Sequence, residues 1–225
     1  MHRAPQQLQW IRPPRQARTQ ESLERFLDAA TELLRDKRFE DVHVTEIARS
    51  AGSSVAAFYR RFEDKNALLH ALHERLCEEA FATADDALAA ERWRGAGIAE
   101  ILGAVFPFLI EVFVRNHALD RAIHQLAMSD ERLRERSSRL TRYVVNGLSE
   151  RLLERRSEIR HPDPELAVSF ALLQTVALLV QHYTVAMREV EIVSLSDAGV
   201  ARELANSCLA YLGVCGVEDR ASATG

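Results

Sequence analysis

Proline and glycine are scarce, 6 and 9 in 225 residues, and no β-branched stretch alternates with polar residues. Both absences argue against sheets and turn-rich architectures, leaving an all-α class built from leucine, alanine, glutamate and arginine. Cysteine is confined to Cys77, Cys208 and Cys215, an odd set, far apart, with no CxxC pair and no histidine at metal-ligand spacing. That pattern offers neither a disulfide framework nor a metal site; buried thiols in a reducing cytoplasm are the expectation, with a redox switch as the alternative. A glycine-rich phosphate loop, HExxH and GxSxG are all missing, and the eight histidines stand near no nucleophile in a recognisable order. Neither an enzyme nor a bound cofactor is expected. Residues 1–17 lack both acidic residues and the apolar core of a signal peptide, so export is not expected either.

What is present is soluble in character: 47% hydrophobic and 28% charged residues, in a chain long enough for a small domain and a larger one. A net charge of −4 taken alone argues against a nucleic-acid partner. Its distribution changes that reading. Residues 1–65 hold 12 Lys/Arg against 10 Asp/Glu, the remainder 17 against 23, so only the front of the chain suits phosphate.

Residues 44–62, VTEIARSAGSSVAAFYRRF, organise the rest. Val44, Ile47, Ala48 and Ala51 recur at three- and four-residue spacing, which predicts a short helix over 44–50 with one apolar face. Gly52 supplies the left-handed residue that ends it, and Ser53 or Ser54 can cap a second helix from about residue 55. In that second helix Phe58 and Phe62, four apart, share the core face, while Tyr59, Arg60 and Arg61 are expected to project outward. Helix, glycine turn, helix is the form of a helix-turn-helix, whose second helix enters the DNA major groove. A plain helical hairpin with a solvated basic end has the same composition.

The order of residues is more specific. Ile47-Ala48, Ala51-Gly52, Tyr59 to Phe62, Lys65 and Leu68 follow the pattern I-A-x-x-A-G, loop, Y-x-x-F, x-x-K-x-x-L, and over residues 18–72 the chain resembles the TetR family of transcriptional regulators. It departs from the family at His43, where threonine usually caps the first helix, at Ala56, where glycine is usual, and at Ser53, where valine is common. Glu46, three residues after His43, can reach back as in a capping box, so the helix is expected to form. The resemblance implies phosphate contacts from His43, Tyr59 and Lys65. A solvated surface lysine is the alternative for Lys65. Direct readout is expected from thymine-methyl contacts of Val55, Ala56 and Ala57, a guanine contact from Arg60, and help from Thr45, with Ser54 at the start of the recognition helix.

Residues 1–17, with Arg3, Arg12 and Arg15, read as a disordered basic leader or an arm that lies along DNA. A helix over 20–36 carries Leu23, Phe26, Leu27, Ala30, Leu33 and Leu34 on one stripe and completes a DNA-binding domain at 18–65. Asp64 caps a fourth helix. Residues 66–215 are expected to form a helical regulatory and dimerisation domain, and 216–225 a disordered tail. Within it, 80–94 reads as a helix end and a mobile connection, 98–114 as an apolar helix kinked by Pro107, and 119–128 and 130–156 as two further helices. By resemblance a cavity among such helices takes a small-molecule effector, with Phe106, Phe108, Phe113, Tyr143 and Gln174 as its expected lining; a plain aromatic core is the other reading.

Residues 166–187 run 22 positions without a formal charge, long enough to span a bilayer. Ser169, Gln174, Thr175, Gln181, His182 and Tyr183 make insertion costly, so no membrane partner is expected and a helix hidden on all sides fits better. TetR-like proteins dimerise through their last two helices, and the resemblance implies a homodimer through Phe170, Leu173, Leu178, Tyr183, Leu204 and Tyr211; single-chain packing is the alternative. The reading is then a regulator, most simply a repressor, released from a palindromic double-stranded DNA operator by an effector. A non-specific DNA-binding protein and a helical ligand-binding or interaction module remain alternatives.

Overall fold

The computed structural model describes residues 17–184 and 195–214, with side chains from residue 21 onward. Residues 1–16 of the expected leader, residues 185–187 of the apolar run, Cys215 and the tail at 216–225 lie outside the described residues. Among the described residues there are eight α-helices and no strand: α1 Ala17–Asp36, α2 Val44–Ser50, α3 Val55–Arg61, α4 Lys65–Ala87, α5 Ile98–Ala127, α6 Glu131–Leu153, α7 Pro164–Tyr183 and α8 Asp197–Leu212. Among the described residues packing forms two compact units, one from residues 17–80 and 118–137, the other from residues 81–117, 138–184 and 195–214.

The first unit is built around three rings. Phe26 of α1 meets Phe58 and Phe62 edge-on at 5.6 and 6.0 Å, and Phe58 lies 4.9 Å from Phe62. All three are fully buried among Leu23, Leu27, Ile47, Leu68, Leu69 and Leu72. Each side chain of this size contributes roughly 1.5–3 kcal/mol on burial, so the three rings alone fix how α1 and α3 pack. Between α1 and α2 a 3-10 turn, Phe39–Asp41, tucks Phe39 and Val42 against the same core.

The second unit has its own core, centred on Ile98, Ile101, Leu102 and Phe106 of α5, with Leu148 and Leu152 of α6, Val168 and Leu172 of α7, and Leu204 and Leu212 of α8. Asp163 caps α7, its carboxylate accepting from the Leu166 amide at 3.0 Å, with Pro164 at the first helical position; α7 therefore starts two residues before the apolar run. Ser196 caps α8.

Three expectations are corrected here. Residues 98–114 and 119–128 form one helix, α5, because Ile110, Val114, Ala118, Ala122 and Ile123 carry the apolar spacing straight through Asn116 and His117. Pro107 lies on the exposed side of α5, as does Gly103, whose carbonyl it leaves without its helical donor, and it does not end the helix. Residues 88–94 are no loose connection: a 3-10 turn, Ala90–Trp93, buries Trp93, whose indole donates to the Ala87 carbonyl at 2.7 Å.

Candidate nucleic-acid interface

The α2–turn–α3 unit is assembled from local signals that the sequence states openly. At α2 the His43 amide donates to the Glu46 carboxylate at 3.1 Å, and Glu46 also accepts from the Lys37 ammonium at 2.6 Å. Those two donors, Lys37 first, hold the Glu46 carboxyl down at about 2. Gly52, at φ +58°, closes α2 in the left-handed region, with the Ser53 amide returning to the Ala48 carbonyl at 2.8 Å. The Ser54 hydroxyl then accepts from the Ala57 amide at 3.1 Å and starts α3.

With Phe58 locked into the core, the opposite side of α3 is left outward. Ser54, Val55, Ala56, Tyr59 and Arg60 are exposed, Tyr59 to 51%, while Ala57 is half-buried. On α2 the exposed side chains are His43, Thr45, Arg49 and Ser50. Arg49 was missed by sequence reasoning; it stands four residues after Thr45 and so shares its face, which was the available signal. The surface that results is one of small, hydroxyl-bearing and guanidinium side chains on a rigid pair of helices, matched to base edges and phosphates.

Two basic residues behave otherwise than expected. Arg61 is buried, keeping 7% of its surface, and burial pushes its guanidinium below its ordinary pKa. Two residues on from Tyr59 the helix has turned about half-way round, so Arg61 faces inward. Lys65, at the first position of α4, donates to the carbonyls of Phe39 at 2.5 Å, Val42 at 2.9 Å and Glu40 at 3.3 Å. Its three donors are therefore spent inside the unit, and the phosphate contact implied by the resemblance has no donor left.

The expected effector lining is not brought together. Phe106 is fully buried in the second core, Phe108 is exposed, and Phe113 stacks on Tyr183 at 6.0 Å. Tyr143 is exposed, edge-on to Phe81 at 5.0 Å and donating to the Asp85 carboxylate; Gln174 is exposed on α7. Two open depressions, of about 610 and 500 Å³, include none of these five residues.

One side of α7 is bare and apolar. Leu166, Phe170, Leu173 and Leu178 are 42–61% exposed, and Phe170 lies 5.6 Å from the ring of Tyr211, itself exposed on α8. Thus α7 is not hidden all round within one chain. By length and composition it could cross a membrane, although Ala167, Val168, Ala171, Leu172, Thr175 and Leu179 on its other side are buried in the second core. Tyr183 and Leu204 are corrections to the expected dimer face: both are buried in their own unit, and the Tyr183 hydroxyl donates to Asp197 at 2.9 Å.

Residues 26–72 match the family model of the bacterial regulatory proteins, tetR family. No curated protein matches the chain. Solved structures share the fold. A protein described as a TetR-family transcriptional regulator from Mesorhizobium loti is 21% identical, with a TM-score of 0.65 over 90% of this chain and 100% of that one. The fatty acid degradation regulator FadR from Bacillus halodurans is 16% identical, with a TM-score of 0.60 over 86% and 97%. FadR from Bacillus subtilis, solved in complex with stearoyl-CoA, is 21% identical, with a TM-score of 0.56 over 86% and 98%. At such identities the likeness is one of fold. The family match, however, falls on the residues that build the helix-turn-helix, so the segment at 26–72 is similar to the DNA-binding part of the bacterial regulatory proteins of the tetR family.

Proposed function

We propose that the chain is a cytoplasmic, homodimeric repressor that binds a palindromic operator through α3 and releases it when a small-molecule effector binds the second unit. The observation that carries the reading is the outward face of the helix-turn-helix, where Thr45, Arg49, Tyr59 and Arg60 are exposed on two helices fixed by Phe58 and Phe62. In its roles, Arg60 reads a guanine, Val55 and Ala56 meet thymine methyls with the half-buried Ala57 at the margin, and His43, Thr45, Arg49, Ser54 and Tyr59 contact the backbone. Lys65 has no part in the contact.

A twofold dimer supplies two such helices, about 34–36 Å apart, one for each half-site in successive major grooves. The bare face of α7, continued by Tyr211 on α8, supports the dimer: an apolar stripe of this kind on a soluble chain marks an interaction surface. The effector reading leans on the shared fold of the Bacillus subtilis regulator solved with stearoyl-CoA. An effector that binds one dimer state better by roughly 1–3 kcal/mol weakens DNA binding about 5- to 150-fold.

The test is selection of duplexes from a random pool by the full chain, repeated across salt. A two-half-site palindrome is the expected result. Binding without a motif would make this a non-specific DNA-binding protein, and no salt-dependent binding at all would leave a ligand-binding or interaction module.

A further inference from the structure

Lysine at the first position of a helix is electrostatically misplaced, since the partial positive charge of the helix terminus repels it. Lys65 occupies that position in α4, and Asp64 already caps the helix by accepting from the Ala67 amide at 2.7 Å. The ammonium is therefore not needed to start α4. It is turned instead onto the segment between α1 and α2, 4.3 Å from the centroid of the Phe39 ring, with the carbonyls of Phe39, Glu40 and Val42 around it. An ammonium has three donors and no acceptor, and three converging carbonyls use all of them.

That segment leads directly into the DNA-facing part of α2. Val42 precedes His43, whose carbonyl accepts the Glu46 and Ile47 amides that begin the helix, at 3.0 and 3.1 Å. Beyond the turn, the Glu46 carboxylate takes the His43 amide and the Lys37 ammonium. Freed from Lys65, the Glu40 and Val42 carbonyls would have to find water, the Phe39 carbonyl would keep only the Val42 amide at 3.3 Å, and the turn that aims His43 and Thr45 would lose its anchor on α4.

We infer that Lys65 is a positioning residue for DNA binding: its ammonium grips the Phe39–Val42 carbonyls and thereby sets where His43 and Thr45 stand at the entrance of α2. This rests on the DNA-binding reading above and replaces the phosphate contact that the resemblance implies.

Lys65→Met removes the ammonium, and Lys65→Arg keeps the charge while changing its shape. A planar guanidinium cannot direct donors to three carbonyls gathered around one point, whereas on a phosphate it serves as well as lysine or better. Three quantities are compared in the full chain: hydrogen exchange at the Glu46 and Ile47 amides, affinity for a duplex recovered by the wild type from the random pool, and the dependence of that affinity on salt. In both variants exchange at the two amides accelerates, affinity falls by roughly tenfold, and the slope of log affinity against log salt is unchanged. A slope reduced by about 0.9 in Lys65→Met and restored in Lys65→Arg would make Lys65 a phosphate ligand and overturn the inference. Unchanged exchange overturns it as well, because the segment would then be held without the ammonium. A wild type that binds no duplex removes the DNA-binding reading itself and the role of Lys65 with it, a result distinguishable from either.

Discussion

Arg60 and Arg61 are adjacent on α3, yet the first is exposed and the second keeps 7% of its surface, so one side chain is available to DNA and the other belongs to the fold. Replacing Arg60 with alanine is expected to leave stability unchanged and to relax preference at one base pair by roughly 1–3 kcal/mol, read from the motif each protein selects. Uniform weakening across all duplexes would instead make Arg60 a backbone contact. Arg61→Ala should do the reverse, lowering the urea midpoint while the selected motif stays the same, since its buried side chain belongs to the fold and not to the outward face. Gly52 offers a cleaner backbone test. A Cβ there would meet nothing within 4 Å, so the cost of Gly52→Ala is conformational alone, from φ +58°. About 1–2 kcal/mol of lost stability is expected, with a smaller loss for Gly52→Asn, which tolerates the left-handed region better.

At the scale of elements, legibility followed from whether a helix end or face carries a chemical mark. The bounds of α2 and α3 could be read because Gly52 and Ser54 are stop and start signals that act within a few residues. The union of residues 98–127 into α5 could not, since Asn116 and His117 look like a break until the apolar spacing on either side is followed in phase. For α7 the difficulty was of another kind. A helix apolar on every side does not say which leucines turn inward: of the expected dimer face Phe170, Leu173 and Leu178 are exposed, while Tyr183, and Leu204 on α8, are buried. The partners of Lys65 could not be read because they are backbone carbonyls 23 to 26 residues away, which leave no trace in residue type. The bare face of α7 now permits a sharp contrast. Leu173, 61% exposed, and Leu172, 3% exposed, are neighbours about 100° apart around the helix, on either side of the boundary between its bare and its buried face. Leu173→Glu is expected to give a folded chain of monomer mass by light scattering after size exclusion. Leu172→Glu should fail to fold, because it buries an unpaired charge. A Leu173→Glu protein that keeps the wild-type mass would remove this face from the dimer.

Acid response is a property of the whole folded molecule, and two groups of the first unit, the buried His73 and the half-buried Asp120, drive it in opposite directions. Burial, reinforced by the neighbouring Arg136 and His70, pushes the His73 imidazole from its ordinary 6.5 down to about 3. Its nitrogens face the Arg136 guanidinium at 3.4 Å and the Ser137 hydroxyl at 3.2 Å. Because the folded state refuses a proton that the unfolded chain accepts, this group contributes stability above its ordinary value that is lost as pH falls toward the folded one. Asp120 does the opposite: burial raises its carboxyl from 3.8 to about 7. Here the folded state keeps a proton that the unfolded chain has released, so stability is lost as pH rises from the lower value to the higher. Between those limits the two partly cancel, and the wild-type melting temperature should vary little with mild acidification. Asp120→Asn exposes one half of the balance, melting above the wild type at about pH 8 and converging with it near pH 4. His73→Gln exposes the other: with Asp120 left unopposed, its melting temperature should rise on acidification from about pH 8 to about pH 5, while that of the wild type stays nearly level. An Asp120→Asn profile parallel to the wild type throughout would mean that Asp120 ionises in the folded chain as it does in water. Acid sensitivity would then rest on His73 with nothing to oppose it, and the wild type itself should show a steep loss of melting temperature below about pH 6.5.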